Sequence, residues 1–224
     1  MSYLLIFLCF LPSFAWLFFF LKEDIHPEPK KMIIRVFVGG IFAAIIAVSI
    51  QILLKNSFLI FQTDSYSFFS LFSFSFIEEI IKFLIVYLLI RKSRFFDEPI
   101  DAMIYMIIAA LGFALLENFG VIYNVNILSE ALSIMVLRFV GATLLHALSS
   151  GIIGYYWGKS LINKNNKIWI NIAKGIIFAT LLHTFFNYLI ITSKDITIYP
   201  LILLIIAAIF IFWDFEKIKS LTSR

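Results

Sequence analysis

An apolar run long enough to cross a bilayer recurs seven times in this chain. The runs are Tyr3 to Leu21, Ile33 to Leu54, Phe68 to Ile90, Asp101 to Tyr123, Ile134 to Gly158, Ile168 to Ile191, and the shorter Ile198 to Trp213. About 20 such residues span the hydrocarbon core as a helix. Hydrophobic residues are 62% of the 224 and charged residues 14%, and the mean hydropathy is +1.01. A soluble domain is about half apolar and about a quarter charged. One soluble core cannot hide that excess, so the solvent is lipid. In lipid the backbone has to satisfy its own hydrogen bonds, which favours helices. The sequence therefore predicts an all-α, polytopic membrane bundle of about seven transmembrane helices. The joining loops are short and no tandem repeat is visible, so residues 1–224 read as one integral-membrane domain. Such a composition excludes a disordered chain, a disulfide scaffold and a nucleic-acid-binding domain. Cys9 is the one cysteine, which excludes an intrachain disulfide and a cysteine-based zinc cluster.

Charge sets the orientation. Thirteen basic residues fall in alternate loops and the tail: Lys22, Lys30, Lys31 and Arg35; Arg91, Lys92 and Arg94; Lys159, Lys164 and Lys167; Lys217, Lys219 and Arg224. The opposite loops hold only Lys55 and Lys194. By the positive-inside rule the N-terminus is outside and the C-terminus cytoplasmic. The net charge of +4 then reads as loop charge facing the cytoplasmic leaflet, not as a nucleic-acid footprint. Trp157, Trp169 and Trp213 fall at inferred cytoplasmic ends, where amphipathic rings prefer the interface. The first run lacks a basic leading segment and reads as a retained span rather than a cleaved signal.

Ionisable groups inside membrane spans are costly and functional by default. Here they cluster. The third run carries Glu78, Glu79 and Lys82, the fourth Glu117 and Asn118, the fifth Arg138 and His146, the sixth His183 and Asn187. At 1.5 Å per residue, Glu79 lies about 17 Å from the cytoplasmic end of its helix, His146 about 18 Å, His183 about 22 Å and Glu117 about 24 Å. Four spans thus bring three carboxylates and two imidazoles to a similar level, from the midplane outward. Helical spacing lets Lys82 reach either Glu78 or Glu79, and puts His183 and Asn187 on one face. Two adjacent glutamates with one lysine leave a carboxylate over, which argues against a purely structural ion pair. Arg138 can snorkel or pair with Glu117, and Asn118 can bridge helices. Asp101 starts its helix and reads as an N-terminal dipole and capping residue. Ser65, Ser67, Ser70, Ser73 and Ser75 read as small-residue helix packing.

The set suits hydrolysis. A buried glutamate can take a proton from water, and a histidine or asparagine can donate to an oxyanion. Two histidines with a glutamate also make an adequate zinc set with a position left for water, drawn from Glu79, Glu117, His146 and His183. No pattern supports a serine or cysteine nucleophile.

In order, Glu78-Glu79-x-x-Lys82, Phe113-x-x-x-Glu117-Asn118, His146 and His183-x-x-x-Asn187 resemble the PrsW family of intramembrane proteases. Asp101, Ile104-Tyr105, Gly112-Phe113-Ala114 and the run from His146 through Gly151 to Gly154-Tyr155 resemble that family too. The resemblance covers the third to sixth runs, over half the chain, and implies a catalytic core of about 68–191. It implies a multi-pass bacterial cell-membrane peptidase with Glu78, Glu79, Glu117, His146 and His183 as functional residues. Asn187 joins them on His183's face, and Lys82, Asn118 and Arg138 support the set. The implied substrate is a membrane-anchored protein, an anti-sigma factor in the family, cut at an extracytoplasmic site. The resemblance leaves zinc and ion-free Glu–His water activation both open as the chemistry. More distantly similar are the CAAX prenyl endopeptidases and bacteriocin-immunity proteases, which usually carry Arg in the first motif and His in the second. A proton- or ion-coupled carrier is the non-enzyme alternative, but no proline interrupts the four central runs as a carrier's broken helices would suggest.

Overall fold

The computed structural model describes residues 3–60, 66–123, 125–162, 167–193 and 198–222. Ser65, Lys164, Lys194 and Arg224 lie outside the described residues. Those described form helices α1 (Tyr3–Phe20), α2 (Lys30–Ile60), α3 (Phe68–Ile90), α4 (Asp101–Ile122), α5 (Leu128–Val140), α6 (Ala142–Ile162), α7 (Ile168–Thr192) and α8 (Ile198–Thr222), with no strand among them. Six candidate spans are long and apolar enough to cross a membrane, α5 and α6 together forming one of them. Helix α3 has the length as well, at 23 residues, but carries Glu78, Glu79 and Lys82. All three are buried inside the bundle, so its outer surface stays apolar. The chain is a polytopic helical bundle of a membrane.

Helix α4 is the centre. It is buried from Asp101 to Leu115 without a break, as expected of a helix that is hydrophobic all round. Helices α1, α2 and α6 pack against it, and α7 completes a layer over α3 and α6. The α2–α4 crossing is backbone on backbone. A Cβ at Gly40 would meet the Ala109 carbonyl oxygen at 1.9 Å, and one at Gly112 would meet that of Phe37 at 2.0 Å. Small residues let membrane helices approach this closely. Ala43, Ala44 and Ala47 continue the close contact along α2 and are fully buried.

The structure departs from the sequence expectations at several points. The fifth run is two helices, broken at Gly141, so Arg138 belongs to α5 and His146 to α6. Hydropathy does not register a break whose flanks are both apolar. The last run was expected to end at Trp213, yet α8 continues to Thr222. Its polar residues sit on a helix that still buries Phe215 and Ile218, and Lys219 meets Glu23 at 2.8 Å and Glu216 at 3.0 Å. Trp157 is not an interfacial ring: it is buried against Phe83, Tyr87 and Phe96. Asp101 does not cap its own helix. Its carboxylate accepts the backbone N–H groups of Asp97 at 3.0 Å and Glu98 at 2.7 Å, and so folds the preceding loop. Helical spacing cannot distinguish these two uses of an aspartate at a helix start.

Candidate active site

Five helices deliver the polar residues singled out from the sequence. Glu78, Glu79 and Lys82 come from α3, Glu117 and Asn118 from α4, Arg138 from α5, His146 from α6, and His183 and Asn187 from α7. All but Asn187 join one hydrogen-bonded and ion-paired network.

Glu79 is the most heavily held. Its Oε1 accepts from Lys82 Nζ at 2.7 Å, Ser149 Oγ at 3.0 Å and His183 Nδ1 at 2.9 Å. Its Oε2 accepts from Ser150 Oγ at 3.3 Å. Four donors surround a carboxylate that has no solvent exposure. Lys82 therefore serves Glu79, one turn away, and its Nζ also approaches His146 Nδ1 at 3.2 Å and the Phe113 ring at 4.9 Å.

Glu117 is the second anchor. Its Oε2 accepts from His146 Nε2 at 2.9 Å and from the Arg138 guanidinium at 2.9 Å. Arg138 also donates to the Asn118 side chain, whose Nδ2 reaches the Cys9 carbonyl on α1 at 3.3 Å. Each histidine thus has one ring nitrogen fixed by a carboxylate: Nδ1 of His183 by Glu79 and Nε2 of His146 by Glu117. The two rings meet edge to face with centroids 4.9 Å apart.

Glu78 is different. Oε1 accepts from Gln51 Nε2 at 2.8 Å, but Oε2 is buried without a hydrogen bond and faces His183 Nε2 at 3.7 Å. A buried unsatisfied carboxylate oxygen is costly and calls for an explanation. A cavity of about 330 Å³ between α2, α3 and α7 is lined by Glu78, Gln51 and Asn187, with Lys55 among its other residues. A second cavity, between α2 and α4, reaches Glu117. Asn187 forms no side-chain hydrogen bond among the described residues. It borders the Glu78 cavity and a further one that Arg138 lines.

One ligand atom from each of Glu78, His146 and His183 lies within 4.8 Å of the other two. Two imidazoles and a carboxylate are a donor set for a divalent ion with a position left for water. The orphaned Oε2 and the second-layer carboxylates behind both imidazoles fit such an ion as well. The set considered from the sequence had Glu79 and Glu117 beside the histidines; in the structure those two stand behind the imidazoles and Glu78 stands in front. His146 has both nitrogens engaged, so holding an ion at Nδ1 requires Lys82 to move aside.

Sequence reading passed over Gln51, Ser149 and Ser150. The two serines follow His146 by three and four residues, the spacing that shares its helix face, and that was the available signal. Gln51 is an amide in the mostly apolar stretch of α2, a polar residue of the kind that warrants a partner.

The fold and the centre define a class of protein, a polytopic membrane bundle whose buried Glu–His centre is equipped for hydrolysis. Comparison with known proteins agrees. Residues 28–213 match the PrsW-protease family, described as PrsW family intramembrane metalloprotease. The chain is 30% identical to Protease PrsW of Geobacillus kaustophilus over 143 residues, covering 64% of this chain and 60% of that protein. It is 28% identical to Protease PrsW of Oceanobacillus iheyensis over 179 residues, covering 80% and 79%. With Protease PrsW of Bacillus subtilis it shares 29% identity over 194 residues, covering 85% and 84%. No solved structure matches the chain significantly. The chain belongs to the PrsW family of intramembrane metalloproteases. It is a peptidase, and a multi-pass protein of a bacterial membrane.

Proposed function

We propose that this peptidase hydrolyses a membrane-anchored protein, an anti-sigma factor by family resemblance, at or near the extracytoplasmic side of the membrane. Glu78, Glu79, Glu117, His146, His183 and Asn187 do the work, within a single domain whose core is about 68–191. The observation that carries this reading is the unpartnered, buried Oε2 of Glu78, facing an imidazole beside a cavity that Asn187 also lines.

Glu78 Oε2 takes a proton from a water in that cavity, and the resulting hydroxide attacks the scissile carbonyl carbon. Glu78 then returns the proton to the leaving nitrogen as the C–N bond breaks. The Asn187 amide donates to the oxyanion. Glu79 is too fully bonded for this task. It holds His183 with Nδ1–H toward itself, which turns Nε2 to Glu78. Glu117 holds His146 in the same way through Nε2, and Arg138 balances the charge of Glu117. In the ion-dependent alternative, Glu78, His146 and His183 would hold a divalent ion, which would supply a Lewis acid that polarises water or the scissile carbonyl, and Glu78 would then serve as ligand in place of base.

The basic residues of alternate loops support an N-outside orientation, which sets the centre from the midplane outward. Reporter fusions at Lys30, Arg94 and Lys164 should read cytoplasmic and fusions near Ser57, Asn126 and Lys194 external; a reversed pattern overturns the extracytoplasmic site. The functional test compares membrane proteomes of cells carrying wild type and Glu78→Gln. A single-pass protein that loses its external part only with wild type supports the reading, and identical fragment patterns sink it.

A further inference from the structure

Every partner of Glu78 discussed so far lies on the helices that carry the sequence motifs, except one. Gln51 lies on α2. Its position follows from the packing of that helix. Ala43, Ala47 and Gln51 are spaced i, i+4, i+8, so they fall on one helix face. Ala43 and Ala47 are fully buried against Phe113 with Ile77 and Ile81 beside them. The Gly40–Ala109 backbone contact fixes this face at its start. The stripe that docks α2 therefore delivers Gln51, at its end, to the edge of the active centre.

There the side chain makes two bonds to α3. Nε2 donates to Glu78 Oε1 at 2.8 Å and to the Phe74 carbonyl oxygen at 3.3 Å. Both partners are acceptors, so the NH2 end of the amide has to face α3. Phe74 and Glu78 are one turn apart, and the amide clamps carboxylate and backbone together. With Oε1 held from α2, the carboxylate cannot turn over freely, and Oε2 is left as the oxygen that faces His183 Nε2. Gln51 also lines the cavity beside Glu78 and Asn187, so the clamp stands where a substrate would lie.

We propose that Gln51 is a positioning residue for Glu78: its amide binds one carboxylate oxygen and thereby presents the other to the reaction. This rests on the reading of Glu78 as the working carboxylate. A bridge that only packs α2 on α3 would tolerate an isosteric apolar side chain; a positioning amide would not. Misplacing a reacting group by about 1 Å costs about 10²-fold in rate, which is the loss expected for Gln51→Met.

The test uses the full-length protein in detergent and reads infrared difference spectra. Wild type minus Glu78→Gln isolates the carboxylate stretching bands of Glu78. The same subtraction is made in a Gln51→Met background, and again in Gln51→Ala in case the methionine variant does not accumulate. The expected result is a shift of the Glu78 bands when the Gln51 donor is gone, with cleavage in membranes falling about 10²-fold. Unshifted bands in both backgrounds overturn the proposal, whatever Glu78→Gln does to cleavage. Shifted bands together with normal cleavage by Glu78→Gln support the positioning and instead remove Glu78 from the mechanism, so the two failures are told apart.

Discussion

Two groups of buried carboxylates lie at different depths of this bundle, one at a loop-bearing end and one from mid-helix outward, and they are satisfied in different ways. At the end bearing the α1–α2 and α3–α4 loops, Asp24, Glu28 and Asp101 are buried. Asp24 accepts the backbone N–H groups of His26 at 3.2 Å and Glu28 at 3.0 Å, and Asp101 those of Asp97 and Glu98. Glu28 accepts from the Tyr105 hydroxyl at 2.5 Å, and exposed His26 pairs with Glu98 at 2.7 Å. These carboxylates are bound mainly by nearby backbone, and what they do is turn loops. In the active centre, Glu78, Glu79 and Glu117 draw their donors from other side chains: imidazoles, an ammonium, a guanidinium, an amide and two serines. Almost all of these come from a different helix. One buried oxygen there, Oε2 of Glu78, has no donor among the described residues. Burial alone does not separate the two groups. Cross-helix partners and one unsatisfied buried atom beside a cavity do.

The largest expected effect tests that contrast. Glu78→Gln keeps the shape and removes the proton acceptor, so cleavage should fall by about 10²–10⁴ while the protein accumulates; cleavage at the wild-type rate would place Glu78 with the loop carboxylates. Lys82→Ala comes next. It leaves Glu79 buried without its cation, which costs about 3–5 kcal/mol when one partner of a buried pair is removed. Thermal unfolding in detergent should show that loss, whereas Glu98→Gln at the exposed His26 pair should change it by less than about 1 kcal/mol. Asn187→Ala should lower turnover by about 10²–10³ if its amide faces the oxyanion. Little change in unfolding temperature should accompany it, because Asn187 has no side-chain hydrogen bond among the described residues to lose; unchanged turnover removes it from the mechanism.

Much of this was legible from residue order. Helix α3 coincides with its apolar run, and α4 and α7 differ from theirs by a residue, because polar loops bound them sharply. The chemistry-bearing set was legible too, since Glu, His and Lys have few reasons to lie in a membrane span. What spacing could not do was divide labour between adjacent residues. Glu78 and Glu79 point to different neighbours, and Lys82, within helical reach of both, binds Glu79. That choice depends on Ser149, Ser150 and His183 arriving from α6 and α7. The partner of Gln51 was hidden for a related reason: it depends on α2 crossing α4 at Gly40, a contact between residues far apart in the chain. The break at Gly141 and the buried place of Trp157 were hidden because hydropathy reports how apolar a segment is and not what it touches.

The smallest effect belongs to the loop-side carboxylates and concerns pH. Burial pushes the Glu28 carboxyl up to about 7; the Tyr105 hydroxyl opposes this and the charges of Asp24 and Asp97 add to it. Burial raises Asp24 as well, against the two backbone N–H groups it accepts. A raised acid holds its proton in the folded state at a pH where the unfolded chain has released it. The contribution of Glu28 to stability is therefore fully present below about pH 4.5, falls as pH climbs toward 7, and is lost above that. Partial solvent screening of Glu28 reduces the expected loss to about 1 kcal/mol. For a chain of this length that is about 2–4 °C in unfolding temperature between pH 5 and pH 7.5. Glu28→Gln removes the titrating group, keeps an acceptor for Tyr105, and should flatten the profile. A variant profile as steep as wild type would show that Glu28 does not set the slope. Glu28→Gln should also leave cleavage unchanged, since this loop lies at one end of the bundle and Glu78 near the middle of α3; a large loss of activity would join the two carboxylate groups and break the contrast between them.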